Sequence, residues 1–261
     1  MAKYNKLAGK HVLVIGGSKG IGRGVVEASI EAGARVTLSG SSPQTASAAV
    51  SAIQAAYPSY TQLTGLSCDL SQPTVEADLD ALLTRAKEIA PLDHVVLTAA
   101  DALTLSELSA LTAAQIMGAA HMRLVVPTLL GKLVGKHVPR TPQHSYTITT
   151  GGIADQPSAG WAVIAFLAAG LTGLARNLAV DLKPLRVNAV EPGFVDTPLW
   201  DSTMPSWSAE DKAEQMRKVG DKMPTGKVGS VEDVAEAYVY LMKDANATGE
   251  IVKTRSGANL V

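Results

Sequence analysis

Cysteine occurs once in the 261 residues, at Cys68, so the chain has no internal disulfide framework and no cysteine cluster for a metal. A reducing, cytoplasmic setting is therefore expected, with no metal. Aromatics make up only 4% of the chain, so its core must be largely aliphatic. Neither charge sign dominates. The net charge of −1 gives no electrostatic reason for a nucleic-acid or anionic-membrane partner. Residues 1–10 contain no apolar core of a signal peptide. The apolar stretch 161–171 is too short and too rich in Gly and Ala to span a bilayer. Three further absences concern chemistry. No Tyr is followed by Lys four residues later, no Lys lies between Lys136 and Lys183, and no Asn lies between Asn5 and Asn177.

What is present is an alternation. Short β-branched runs at 11–15, 35–38, 63–67, 94–98, 146–150, 186–190 and 251–253 read as strands. Helical patterns at 21–32, 45–56, 75–89, 113–134, 160–182 and 231–242 separate them. Strands that do not alternate in polarity, each followed by a helix, predict a parallel sheet covered on both faces. The expected fold class is α/β. One doubly wound domain over 1–261 carries a mostly parallel seven-stranded sheet, and no linker or repeat interrupts it.

The first strand runs into Ile15-Gly-Gly-Ser-Lys-Gly-Ile-Gly22. Gly16, Gly20 and Gly22, with Ser18, Lys19 and Ile21 between them, form a tight turn. Such a turn exposes backbone N–H groups to a pyrophosphate at a helix N-terminus. The spacing Gly-x-x-x-Gly-x-Gly resembles the short-chain dehydrogenase/reductase family, a Rossmann-type fold. Three later segments extend the resemblance over nearly the whole chain. They are Cys68-Asp-Leu-Ser71, Arg186-Val-Asn-Ala-Val-Glu-Pro-Gly-Phe-Val-Asp-Thr197, and Gly249-Glu-Ile-Val252. The resemblance implies that Asp69 and Leu70 contact adenine, and that Ala99 follows the fourth strand beside the cofactor. It also places Pro192, Gly193, Val195 and Thr197 at the nicotinamide, a substrate lid at about 198–223, and a homodimer or homotetramer. An acid at the end of the second strand would repel a 2′-phosphate, and none is present in Leu38-Ser-Gly-Ser-Ser-Pro43. Ser39, Ser41 and Ser42 can donate to phosphate oxygens, and Lys19 adds a positive charge. NADP(H) is expected in preference to NAD.

In that family a Ser on the fifth strand is followed by Tyr and Lys one helical turn apart, where the ammonium makes the phenol a usable acid. This chain departs from the pattern. The fifth strand ends in Thr149-Thr150-Gly-Gly, Val163 and Ile164 stand where Tyr is expected, and Ala168 where Lys is expected. Thr98-Ala-Ala-Asp101 replaces the Asn-Asn-Ala-Gly segment. The candidates left are Arg123, as a group that orients a carbonyl, and Thr150, as a hydrogen-bonding partner or a strand-end Thr. Trp161 reads as a stacking wall or a core anchor, and Asp155 as an acid or a loop carboxylate. His121 reads as a proton shuttle or a packing residue. Gly160-Trp161 after a Pro-containing turn, with a helical Arg upstream, resembles a branch of fungal reductase-like enzymes of prenylated indole alkaloid pathways. Some of these are Diels–Alderases with an Asp where this chain has Ser158. Trp200, Met204, Trp207, Met216 and Met223 make the lid apolar, as a bulky hydrophobic substrate requires. Three functions are weighed: an atypical reductase of a C=O or C=N bond, a cyclase whose NADP shapes the pocket, and an inactive scaffold.

Overall fold

The computed structural model describes residues 3–261. Seven strands form one sheet: β1 (His11–Ile15), β2 (Arg35–Gly40), β3 (Leu63–Ser67), β4 (His94–Leu97), β5 (Ser145–Thr149), β6 (Arg186–Pro192) and β7 (Ile251–Thr254). Their order is β3-β2-β1-β4-β5-β6-β7, and every neighbouring pair is parallel. The expectation of a mostly parallel sheet is thus exceeded. β1, β4 and β6 are buried along their whole length, so neither face turns to solvent and periodicity-two alternation is lost.

Helices cover both faces. α1 (Gly20–Glu31), α2 (Pro43–Ala56) and α9 (Val231–Lys243) share one apolar cluster with Val12, Val14, Val36 and Leu38. On the other face α3 (Val75–Ile89), α5 (Val126–His137) and α6 (Ala162–Asp181) pack over Leu13, Ile15, Val95 and Tyr146. α2 is set by a capping box, in which the Ser42 hydroxyl accepts from the Thr45 N–H, with Pro43 in the first turn. The predicted helix 113–134 is helical throughout, but it is not regular. α4 (Ala113–Ala120) and α5 are separated by a π-turn, His121–Val125, which carries Arg123. α7 (Leu199–Thr203) and α8 (Ala209–Gly220) make up most of the segment 198–223.

α6 runs further than the apolar stretch 161–171. Its 20 residues are long and apolar enough, by length and composition alone, to cross a bilayer. Yet Ile164, Leu167, Leu171, Ala175 and Leu178 are buried within the protein, so this face of the helix is spent on the fold.

Candidate active site

The C-terminal ends of β1 to β6 open into a cavity of about 1210 Å³, where a doubly wound sheet places its ligands. At its β1 end a Cβ at Gly16 would sit 2.5 Å from the Ala99 N, and Gly16 has φ 86°. A Cβ at Gly22 would collide with the Gly16 carbonyl and the Thr98 hydroxyl. No side chain larger than hydrogen fits at either place, so the backbone itself forms the wall. Lys19 precedes α1 in extended conformation and no side chain caps that helix, leaving its first N–H groups for an anion. The cradle therefore fits a dinucleotide pyrophosphate on its own geometry.

Ser18, Lys19, Gly20 and Ile21 line the cavity, as do Ser39, Ser41, Asp69, Leu70 and Ala99. Asp69 is held in a tight turn. Its carboxylate accepts from the Ser71 hydroxyl at 2.7 Å, the Gln72 amide at 2.7 Å and the Ser71 N–H at 3.0 Å. These bonds, the Ser71 hydroxyl first, hold its pKa below the usual carboxylate range. Ser42 is a correction, because it lies outside the lining and its hydroxyl is occupied at the α2 cap. Gly40 also lines the cavity, between Ser39 and Ser41. Cys68 also lines it, but burial pushes the thiol up to about 11, with Asp78 and Asp69 adding to the effect, so it is no nucleophile.

At the other end Pro192, Gly193, Val195 and Thr197 follow β6 along the cavity wall. Ile164 and Ala168 line the same end, one helical turn apart on α6, where the family keeps its phenol and ammonium. Val163 is buried instead, among Ala119 and Leu167. The Thr150 hydroxyl donates to the Ala168 carbonyl at 2.8 Å. Its proton is committed, so it can accept a hydrogen bond from a substrate but not readily supply one.

Trp161 is a wall. Its ring centroid lies 6.5 Å from Phe194 and 6.4 Å from Trp200, and Phe194 stacks on Trp200 at 5.0 Å. All three line the cavity, and the Trp200 indole N–H donates to the Val195 carbonyl at 3.0 Å. Of the other apolar lid residues, Met223 lines the cavity, whereas Met216 is buried beneath α8 and Met204 and Trp207 stay out of the lining. The lid thus divides its apolar side chains between the ligand space and its own packing.

Arg123 reaches the cavity from the π-turn, with its side chain 11% exposed. Its guanidinium pairs with the Asp101 carboxylate and donates to the Asp101 carbonyl at 2.8 Å. Asp101 also lines the cavity. Its proximity to Arg123 across 22 residues of chain was not visible in the sequence. His121 lines the cavity too, but its ring Nε2 donates to the Leu70 carbonyl at 2.7 Å, which ties the π-turn to the loop after β3.

Asp155 is the second correction. It is outside the cavity lining and accepts from Arg255 at 2.6 and 3.0 Å and from Lys253 at 2.5 Å. These cations, Arg255 first, hold its pKa below the usual carboxylate range and keep it ionised, the reverse of what an acid catalyst needs. Among the described residues no group of His, Cys, Asp and Glu gathers to hold a metal ion.

The site and sheet define a class, and comparison with known proteins agrees. The chain matches the family of SDR-like Rossmann domains over residues 3–261 and belongs to it. That fold binds a nicotinamide cofactor. The chain is 40% identical over 255 residues to the short-chain dehydrogenase/reductase malC of Malbranchea aurantiaca, covering 96% of this chain and 95% of that one. It is 39% identical to the short-chain dehydrogenase/reductase fsr5 of Gibberella fujikuroi, covering 100% and 98%. Among solved structures it superimposes on the MalC reductase/Diels-Alderase of Malbranchea aurantiaca with a TM-score of 0.91, at 37% identity and 99% coverage of both chains. A short chain dehydrogenase from Burkholderia cenocepacia in complex with NADP gives a TM-score of 0.80, at 25% identity with 97% and 99% covered.

Proposed function

We propose that this protein is an NADP(H)-dependent reductase of a polarised double bond, C=N before C=O, in a bulky hydrophobic substrate. The observation that carries the reading is one cavity with two unlike ends. A complete dinucleotide cradle opens into an aromatic-walled pocket in which Ile164 and Ala168 stand where a phenol and an ammonium would be. When bound, the dinucleotide supplies hydride. Gly16 to Gly22 hold its pyrophosphate, Asp69 and Leu70 its adenine, and Pro192 to Thr197 its nicotinamide. Lys19, Ser39 and Ser41 take the 2′-phosphate, which selects NADP(H) over NAD.

The remaining residues do little acid chemistry and much positioning. Trp161, Phe194 and Trp200 hold the substrate flat and exclude water. Arg123 has N–H donors beyond those given to Asp101 and orients a polar group of the substrate. A guanidinium is a poor general acid, so Arg123 is given no proton to supply. An iminium needs none, because hydride addition gives a neutral amine, whereas a ketone would leave an alkoxide seeking a proton. Purified protein with NADPH and a cyclic iminium should consume both in equal amounts. Product formation without loss of reduced-nicotinamide absorbance would overturn the reductase reading. It would favour the second one, a cyclase in which the dinucleotide shapes the pocket. That reading is supported by the likeness to a reductase/Diels-Alderase, and Ser158 in place of a carboxylate counts against it. Replacing Arg123 by Ala should lower kcat/KM about tenfold or more, equivalent to about 1.4 kcal/mol of transition-state binding. Unchanged kcat/KM would remove Arg123 from the site.

The exposed Met117, Leu124 and Phe166 on α4 to α6 support assembly into a homodimer or homotetramer. Sedimentation of a Phe166→Glu variant should show a lighter species than wild type. The lone buried thiol supports a cytoplasmic location.

A further inference from the structure

Behind the nicotinamide end lies a buried ionic cluster that does not touch the cavity. Arg255, just past β7, has a side chain 1% exposed and pairs with Glu191, itself 2% exposed, on β6. The same guanidinium forks onto Asp155, which sits in the turn after β5 and is also held by Lys253. One arginine therefore joins the ends of three segments: β6, β7 and the turn that follows β5.

Two cavity-lining glycines back onto this arginine. A Cβ at Gly193 would stand 2.9 Å from the Arg255 Cα, and one at Gly152 would stand 3.4 Å from its Cδ. Gly193 also donates its N–H to the Thr254 carbonyl at 3.0 Å. The residues after Arg255 extend the clasp to the stretch just past the lid and to the turn after β5. Thr225 donates its N–H to the Ser256 carbonyl at 3.3 Å, and Gln156 donates its side-chain amide to the Ala258 carbonyl. A buried guanidinium without both carboxylates is costly, and its planar fork fixes direction as well as distance. The turns at Gly151–Asp155 and Pro192–Gly193 are therefore held in one mutual position.

We propose that Arg255, clamped between Glu191 and Asp155, is a positioning residue that sets the seat of the nicotinamide end of the dinucleotide. It leaves the adenosine end alone, because Gly16 to Gly22 and Asp69 follow β1 and β3, which are not among the three segments it joins. This rests on the cofactor reading above and deepens it.

The experiment compares two ligands. NADPH fills both ends of the site, whereas 2′,5′-ADP fills only the adenosine end. Removing Arg255 alone would strand the buried Glu191 and risks unfolding. The variants are therefore Asp155→Asn, which leaves the inner pair intact, and the double change Glu191→Gln with Arg255→Met, which removes both buried charges. Affinity for 2′,5′-ADP by calorimetry should stay within about twofold in both, which also shows that the protein is folded. Affinity for NADPH, read from nicotinamide fluorescence, should fall about tenfold in the double variant and less in Asp155→Asn. Arg255→Lys should not rescue it, because an ammonium cannot reach two carboxylates as a fork does. Equal losses for both ligands, or none for either, would overturn the positioning role. So would a wild-type protein that gains no affinity from the nicotinamide half, although the cofactor reading would then stand. A wild-type protein that binds neither ligand overturns both.

Discussion

Lys19 is exposed at the mouth of the cradle, the one cation among Gly16 to Gly22. Its ammonium would meet a 2′-phosphate in open solvent. The contact is then at the low end of charge-assisted bonds, about 1.5 kcal/mol, or roughly tenfold in affinity. Lys19→Ala should weaken NADPH by that factor and leave NADH within about twofold, measured by titration of the two dinucleotides. Equal loss for both would show that Lys19 serves the pyrophosphate instead. At this scale the sequence tells which residues stand near the cofactor but not what else their side chains are doing. Ser42 followed by Pro43 and Thr45 carried a legible signal of its own, a helix cap, and that role took the hydroxyl. Asp155 carried no such signal, because its partner Arg255 lies 100 residues away and meets it only through the parallel order of β5, β6 and β7.

At the scale of elements, the strands are the most legible parts, since β1 and β3 have the ends that the sequence predicts. The helix over 113–134 is less legible in its π-turn. Its apolar pattern continues through both halves, and Pro127 is tolerated in the first turn of α5. The π-turn between them widens the helix and brings Arg123 to the cavity, as such bulges often do at functional sites. The lid shows another kind of dependence. Lys212 on α8 donates to the Thr197 carbonyl at 3.1 Å and pairs with Asp196 at 3.0 Å and Asp201 at 2.9 Å. It thus fastens the lid to the turn that follows β6. Lys212→Met should cost about 1 kcal/mol, a fall of about 2–4 °C in melting temperature. It should also speed proteolysis within 198–223 and raise KM more than it lowers kcat. Cleavage at the wild-type rate would show that the lid is held by its apolar packing alone.

The whole molecule divides its polar groups between the two edges of one sheet. The C-terminal edge carries the cavity, and the N-terminal edge carries buried histidines. His94 at the start of β4 is 2% exposed, with its ring Nδ1 2.9 Å from the Ser145 hydroxyl. His11 at the start of β1 donates its Nδ1 hydrogen to the Ala90 carbonyl at 2.9 Å, and its Nε2 lies 2.8 Å from the Thr37 hydroxyl. Desolvation pushes His94 down to about 3, assisted by Arg186, His144 and Lys10 and opposed by Asp93. Burial likewise lowers His11 and His144. The unfolded chain binds a proton at His94 below about pH 6.5, while the folded one stays neutral until about pH 3. Stability is therefore fully present above pH 6.5 and falls by about 1.4 kcal/mol per pH unit below it, from this one group. Between pH 7 and pH 5 the loss from His94 alone is about 2 kcal/mol, in a range where ordinary carboxylates have barely begun to protonate. His94→Gln keeps an amide near Ser145 and carries no titrating proton. The urea midpoint of wild type should drop steeply over that interval, and that of the variant should drop with a visibly shallower slope, whatever its stability at pH 7. Parallel slopes would show that the other two histidines, not His94, govern acid unfolding from this edge of the sheet.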